Sequence, residues 1–137
     1  QRLMELGNLA GASGIFKGGT SVYWLTHYVF GQPSPSHPKT LSQSSIDLLI
    51  INTVVPFLYA YGKHKGEEQL CNRASQLLED LKPENNYITR MWEECGLKAA
   101  HAGDSQALIQ LKKNYCDSKK CLYCRIGYEY FKKEQKE

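Results

Sequence analysis

Apolar residues recur at helical spacing along most of the chain, and Gly and Pro mark the interruptions. Leu3, Leu6 and Ala10 fall on one face of an opening helix, which Gly11, Gly14, Gly18 and Gly19 then break. Thr20 to Phe30 is aromatic, with Tyr23, Trp24, Tyr28 and Phe30, and reads as a second helix. The stretch from Gly31 to Pro38 holds Pro33, Pro35 and Pro38 and predicts an irregular surface loop.

Ile46 to Tyr61 is the most apolar segment, and Ser44 with Asp47 three residues on predicts a variant capping box at its start. Its apolar positions lie all round the helix, which predicts a central element buried on most sides. Pro56 predicts a kink near Asn52, with the Asn52 amide satisfying freed backbone. From Leu48 to Tyr61 there are about 14 residues, broken by Asn52, Thr53 and Pro56, against about 20 needed to span a bilayer. No membrane partner is therefore expected.

Between Glu67 and Leu81, Leu70, Ala74, Leu77, Leu78 and Leu81 form an amphipathic stripe. Pro83 suits the first position of a following helix, Glu84 to Cys95, which places Ile88, Met91, Trp92 and Cys95 together and stops at Gly96. Short connections imply an antiparallel pair. Asp104 or Ser105 caps the next helix, with Leu108, Leu111 and Tyr115 inward, and a last helix starts at Lys119 or Lys120 and ends near Lys133. The fold class is all-α, an irregular bundle of five to six helices around the central one. Residues 1–137 read as a single helical domain, with a frayed tail over 134–137. A chain of 137 residues has enough volume for a core without staples. It opens Gln-Arg-Leu and reads as a piece of a longer protein, an upstream domain of which is its first expected partner.

The net charge of +3 is unevenly spread. Residues 1–103 carry nine Lys and Arg against nine Asp and Glu, and 104–137 carry eight against five. From Lys112 to Lys133 the balance is seven against two, Asp117 and Glu129. Such an excess contacts phosphates in a salt-dependent way, and its simpler reading is a solvated helix surface. Tyr115, Tyr123, Tyr128, Tyr130 and Phe131 interleave with these cations, the mixture used to stack and neutralise single-stranded nucleic acid. The nucleic-acid candidates are Lys112, Lys113, Lys119, Lys120 and Arg125.

Three of the five cysteines, Cys116, Cys121 and Cys124, lie within nine residues inside this basic segment. An odd cysteine count and no signal-peptide pattern favour reduced thiols or metal ligation over a disulfide framework. If Cys121 and Cys124 occupy the first turn of the last helix, Cys116 can fold back to meet them. The helix N-terminus and neighbouring cations would then lower their pKa values. Zinc or an iron-sulfur cluster needs a fourth ligand, for which His101 leads, followed by Cys95 and Cys71, both of which also fit core positions. A set of buried reduced thiols and a redox pair remain open alternatives.

Other motifs lack their required partners. Gly62-Lys63-His64 has neither the upstream glycine nor the Ser or Thr of a phosphate-binding loop, and Gly62 reads as a helix stop. His27, His37 and His64 are scattered, and no catalytic triad is formed. Whether the chain belongs to an enzyme is left open by its own residues.

Ile51-Asn-Thr-Val-Val-Pro-Phe-Leu-Tyr-Ala-Tyr-Gly62, together with Asp104 to Cys116 and Cys121 to Gly127, resembles the C-terminal part of the bacterial domain-of-unknown-function family 2851. The resemblance covers most of the chain. It implies a cytoplasmic location and a considerably longer polypeptide, whose upstream portions carry acidic and His motifs faintly similar to metal-dependent nucleases. None of those motifs is present here, so no catalytic residue is carried over. The resulting expectation is a non-catalytic accessory domain of a protein acting on nucleic acid. The alternative is an interaction or scaffolding domain with buried thiols and no ligand.

Overall fold

The computed structural model describes residues 8–134, with side-chain surroundings to 132. Leu3, Leu6 and residues 135–137 of the expected tail lie outside the described residues. The described chain is mostly helical, as expected, with one small two-stranded sheet. Packing divides it into two compact units, Gln1–Leu81 and Lys82–Glu137.

In the first unit, α1 (Leu9–Ile15) starts at Asn8, whose side chain accepts from the Gly11 amide at 2.9 Å. The aromatic segment departs from the expected helix. Only α2 (Val22–Leu25) is helical, and β1 (His27–Val29) pairs antiparallel with β2 (Gln32–Pro33). Part of the proline-rich stretch is therefore a strand. Gly31 turns the hairpin at φ +73°, a conformation that costs Gly little, and donates its amide to the Tyr23 hydroxyl at 3.0 Å. Tyr23 stacks on His27 with centroids 4.1 Å apart, and Trp24 meets Phe30 edge-on at 4.8 Å. The aromatic residues thus knit a hairpin cluster, where strand preference and ring packing override helical spacing.

The central helix is longer than its sequence suggests. It runs as α3 (Gln43–Leu49), a π-helical turn (Ile50–Val54) and α4 (Val55–Lys65). Its cap is Ser42, which accepts from the Ser45 amide at 3.2 Å, two residues before the expected Ser44. The Val55 amide reaches back to the Ile50 carbonyl, and this wide turn carries the helix into Pro56. Asn52 donates its amide to the Leu48 carbonyl at 2.9 Å, the backbone-satisfying role expected of it, on a carbonyl one turn earlier than predicted.

The 23 residues of Gln43–Lys65 are long and apolar enough to cross a bilayer by length and composition. They carry a buried stripe, Ile46, Ile50, Ile51, Val54, Val55, Leu58 and Gly62, while Leu48, Phe57 and Tyr59 are exposed. Burial on most sides is thus corrected to burial on one face, because only one side receives packing partners. Gly66 at φ +71° ends the helix, with the Glu67 amide bonded to the Gly62 carbonyl at 2.9 Å. The chain then turns into α5 (Glu68–Asp80), whose buried Leu70, Cys71, Ala74 and Leu77 face α4. Gly62 is a close-packing residue within the helix and not its stop.

In the second unit, α6 (Tyr87–Glu94) begins later than Pro83 implied. The Asn86 side chain accepts from the Ile88 and Thr89 amides at 3.0 and 3.1 Å, and Thr89 Oγ1 accepts from the Asn86 amide at 3.0 Å. This reciprocal capping box outcompetes the proline start. Gly96, at φ +84°, follows the helix end as expected, and Cys95 is the exposed cap residue instead of a core position.

The next helix, α7 (Ala102–Leu111), is capped by His101, not by Asp104 or Ser105. Ser105 is buried, donating to the Ala102 carbonyl at 2.9 Å and accepting from the Glu84 amide at 3.1 Å. Trp92 Nε1 donates to the Leu108 carbonyl at 3.0 Å and ties α6 to α7. A π-helical segment (Lys112–Cys116) extends α7, a 3-10 turn (Cys121–Tyr123) follows, and α8 (Arg125–Glu134) closes the described chain.

Candidate nucleic-acid interface

The basic candidates gather around the junction between the extended α7 and α8, and the backbone there determines what each can do. Lys119 N–H bonds the Cys116 carbonyl at 3.0 Å and Lys120 N–H bonds the Tyr115 carbonyl at 2.8 Å. Lys119 lies between them at φ +51°, a left-handed position usually filled by Gly or Asn. The two bonds close the helix end in a Schellman arrangement and pin Lys120 against Tyr115.

Two of the five cations are already partnered. Lys112 hydrogen-bonds the Asp117 carboxylate, which raises the ammonium pKa above its ordinary value. Arg125 pairs with Glu129 one turn along α8, at 2.7 Å. Lys113, Lys119 and Lys120 are exposed and make no ion pair among the described residues.

Lys113 and Lys120 line one polar cavity of about 360 Å³ with Gln110, Asn114, Tyr115 and Ser118. Gln110, Asn114 and Ser118 were not singled out from the sequence. Their spacing of four places them along one helical face, and that polar stripe beside Lys113 was the available signal. Tyr123, Tyr128 and Tyr130 are exposed, with Arg125 and Lys132 each 5.8 Å from the Tyr128 ring centre.

The cysteines take a different arrangement from the predicted one. Cys121 lies in the 3-10 turn and Cys124 is an extended residue before α8, so they do not share the first turn of a helix. Cys124 is buried, while Cys116 and Cys121 are exposed. All three line an apolar cavity of about 270 Å³ whose walls include Trp92, Tyr115 and Phe131. The Cys116 pKa is raised, first by desolvation of its thiol and then by Cys124 and Cys121, with Lys112 opposing. The expected lowering by a helix terminus and cations is overturned at Cys116, because its sulfur faces apolar walls and other thiols.

His101 does not join them. It stands before a helical run ending at Cys116, and 15 residues at about 1.5 Å each separate the two by roughly 22 Å. Its Nδ1 accepts from the Asp104 amide at 3.3 Å. Cys71 packs under α4 in the other unit, with its thiol 3.7 Å from the Tyr59 carbonyl. Among the described residues, no group of three or more His, Cys, Asp or Glu is arranged to hold a metal. Gly127 allows α8 to approach this junction, since a Cβ there would press on the Cys121 carbonyl.

A family model described as protein of unknown function, DUF2851, matches residues 1–87. The chain belongs to this family. Of the stretches that carry the sequence resemblance, the match contains Ile51 to Gly62, whereas those from Asp104 onward lie beyond it. No curated protein and no solved structure gives a significant match. The basic junction therefore belongs to a part of the chain outside the family match, and its chemistry is read from its own residues.

Proposed function

We propose that the second unit is a non-catalytic accessory module that holds single-stranded nucleic acid for a protein acting on it. The observation carrying this reading is that exposed tyrosines and lysines without carboxylate partners share one short stretch, the junction and the helix after it, with Arg125 and Lys132 each 5.8 Å from the exposed Tyr128 ring. Tyr123 is 84% exposed and Tyr130 61%, and Lys113, Lys119 and Lys120 have no carboxylate partner among the described residues. A solvated lysine face alone would not require exposed rings, each of which leaves apolar surface in water. Rings supply stacking surfaces for bases, and ammonium groups neutralise the strand between them.

A labelled oligonucleotide titrated against the full chain tests the reading. Binding is expected to favour single strands over duplex and to weaken linearly in log affinity against log salt. Absence of binding at low salt would overturn it, leaving the interaction-domain alternative. A structural metal on Cys116, Cys121 and Cys124 is not required here. It is a separate proposal that stoichiometric zinc or iron in anaerobically purified protein would support and metal-free protein would remove.

A further inference from the structure

Tyr115 belongs to the walls of two cavities of opposite character. On one side is the apolar cavity of about 270 Å³, with Trp92 and Phe131 among its rings and no charged side chain in its lining. On the other is the polar cavity of about 360 Å³ with Lys113 and Lys120. Both lie near the lower end of the roughly 300–1,000 Å³ range of ligand sites. An apolar recess beside a cationic one suits a ligand with a flat, weakly polar part joined to an anion.

We propose that these cavities form one nucleotide site, with a base against Tyr115 in the apolar cavity and its phosphate on Lys113 and Lys120. This rests on the nucleic-acid reading above and names where the strand is gripped. A helix C-terminus would ordinarily repel a phosphate through its free carbonyls. Here the Lys112, Tyr115 and Cys116 carbonyls are occupied by the Asp117, Lys120 and Lys119 amides at 2.9, 2.8 and 3.0 Å. The same closure holds Lys120 beside Tyr115, so the strained Lys119 positions the second cation of the site. Asn114, Gln110 and Ser118 add neutral donors to the phosphate side. With no charged group on the base side, the site takes any base by stacking.

The test uses the full chain and a short labelled thymidine oligonucleotide, with an abasic strand of equal length as the second probe. Lys113→Ala/Lys120→Ala is expected to weaken binding more than Arg125→Ala/Lys132→Ala, two cations of the same unit that line neither cavity. It should also flatten the salt slope by about 1.4, the value for two single-strand phosphate contacts. The abasic strand is expected to bind roughly 5- to 150-fold more weakly, as loss of one stacked base implies. Adenine and cytosine homopolymers should match thymine within a few-fold.

If the wild-type chain binds no strand at low salt, both the function and the site are overturned. If it binds, but Arg125→Ala/Lys132→Ala is the more damaging pair or the abasic strand binds equally well, the function stands and this site is overturned. Vesicles of phosphatidylglycerol and phosphatidylcholine give the rival outcome. Their displacement of the oligonucleotide in a Lys113- and Lys120-dependent way would assign the cavities to a lipid phosphate and overturn the nucleotide assignment.

Discussion

Gly62 and Cys71 hold α4 and α5 together at backbone distance. A Cβ built on Gly62 would stand 2.9 Å from Cys71 Sγ, 3.0 Å from the Glu67 carbonyl oxygen and 3.0 Å from Leu70 Cβ. Helix propensity alone would make Gly62→Ala stabilising by up to about 1 kcal/mol, and overpacking opposes it by about 1–3 kcal/mol. Urea unfolding is expected to show net destabilisation, with partial recovery when Cys71→Ala removes one of the three contacts. Gly14→Ala, where the added carbon meets nothing within 4 Å, is expected to stabilise. A stabilising Gly62→Ala would mean the two helices are not in close contact there.

Lys119 occupies the left-handed region without being glycine, at a cost of order 1 kcal/mol. Lys119→Gly is expected to raise unfolding stability by about that amount, while Lys119→Val should lower it, since a β-branched residue fits that region worst. Equal stability of all three in a denaturant titration would contradict the Schellman closure.

At Cys116 the raised pKa gives a pH signature. Its iodoacetamide labelling, followed by peptide mass spectrometry, is expected to reach half-maximal rate at a higher pH than a free thiol, because the thiolate is the nucleophile. Cys121→Ser/Cys124→Ser should move that midpoint down, as two of the groups raising it are removed. The stability linked to this thiol has a defined sign. A raised folded-state pKa means the folded chain binds the proton more tightly, so the contribution is complete below the unfolded thiol's pKa. It is lost as pH rises through the folded value.

Asp117 sequesters Lys112 from any anion approaching the junction. Asp117→Asn is expected to tighten oligonucleotide binding and steepen its salt slope, because it frees one cation and removes one like charge from the strand's path. Weaker binding in this variant would indicate that the pair is needed to shape the junction.

Periodicity predicted the helical class and the α5 stripe well, because Leu70, Ala74, Leu77 and Leu81 need only a helix and one packing partner to be buried. It failed over residues 20–33, where a positive-φ glycine and contacts between rings decide for a hairpin. Helix starts were displaced where rival caps competed, Ser42 against Ser44, Asn86 against Pro83 and His101 against Asp104. At the candidate site, the basic residues and tyrosines were visible as composition. Which lysines remain unpaired was not, since Asp117 and Glu129 reach their partners only once the junction is folded.

By itself, then, the chain's sequence determined a helical protein with a positively charged, tyrosine-rich end and three neighbouring cysteines, because spacing and charge are properties of the string. Only the tertiary structure decided that His101 lies a helix length away from those cysteines, that their thiols line an apolar recess, and that Tyr115 divides it from a lysine-lined one. Those relations depend on where a helix ends and what closes it, and at this junction that was set by two backbone hydrogen bonds and one strained lysine.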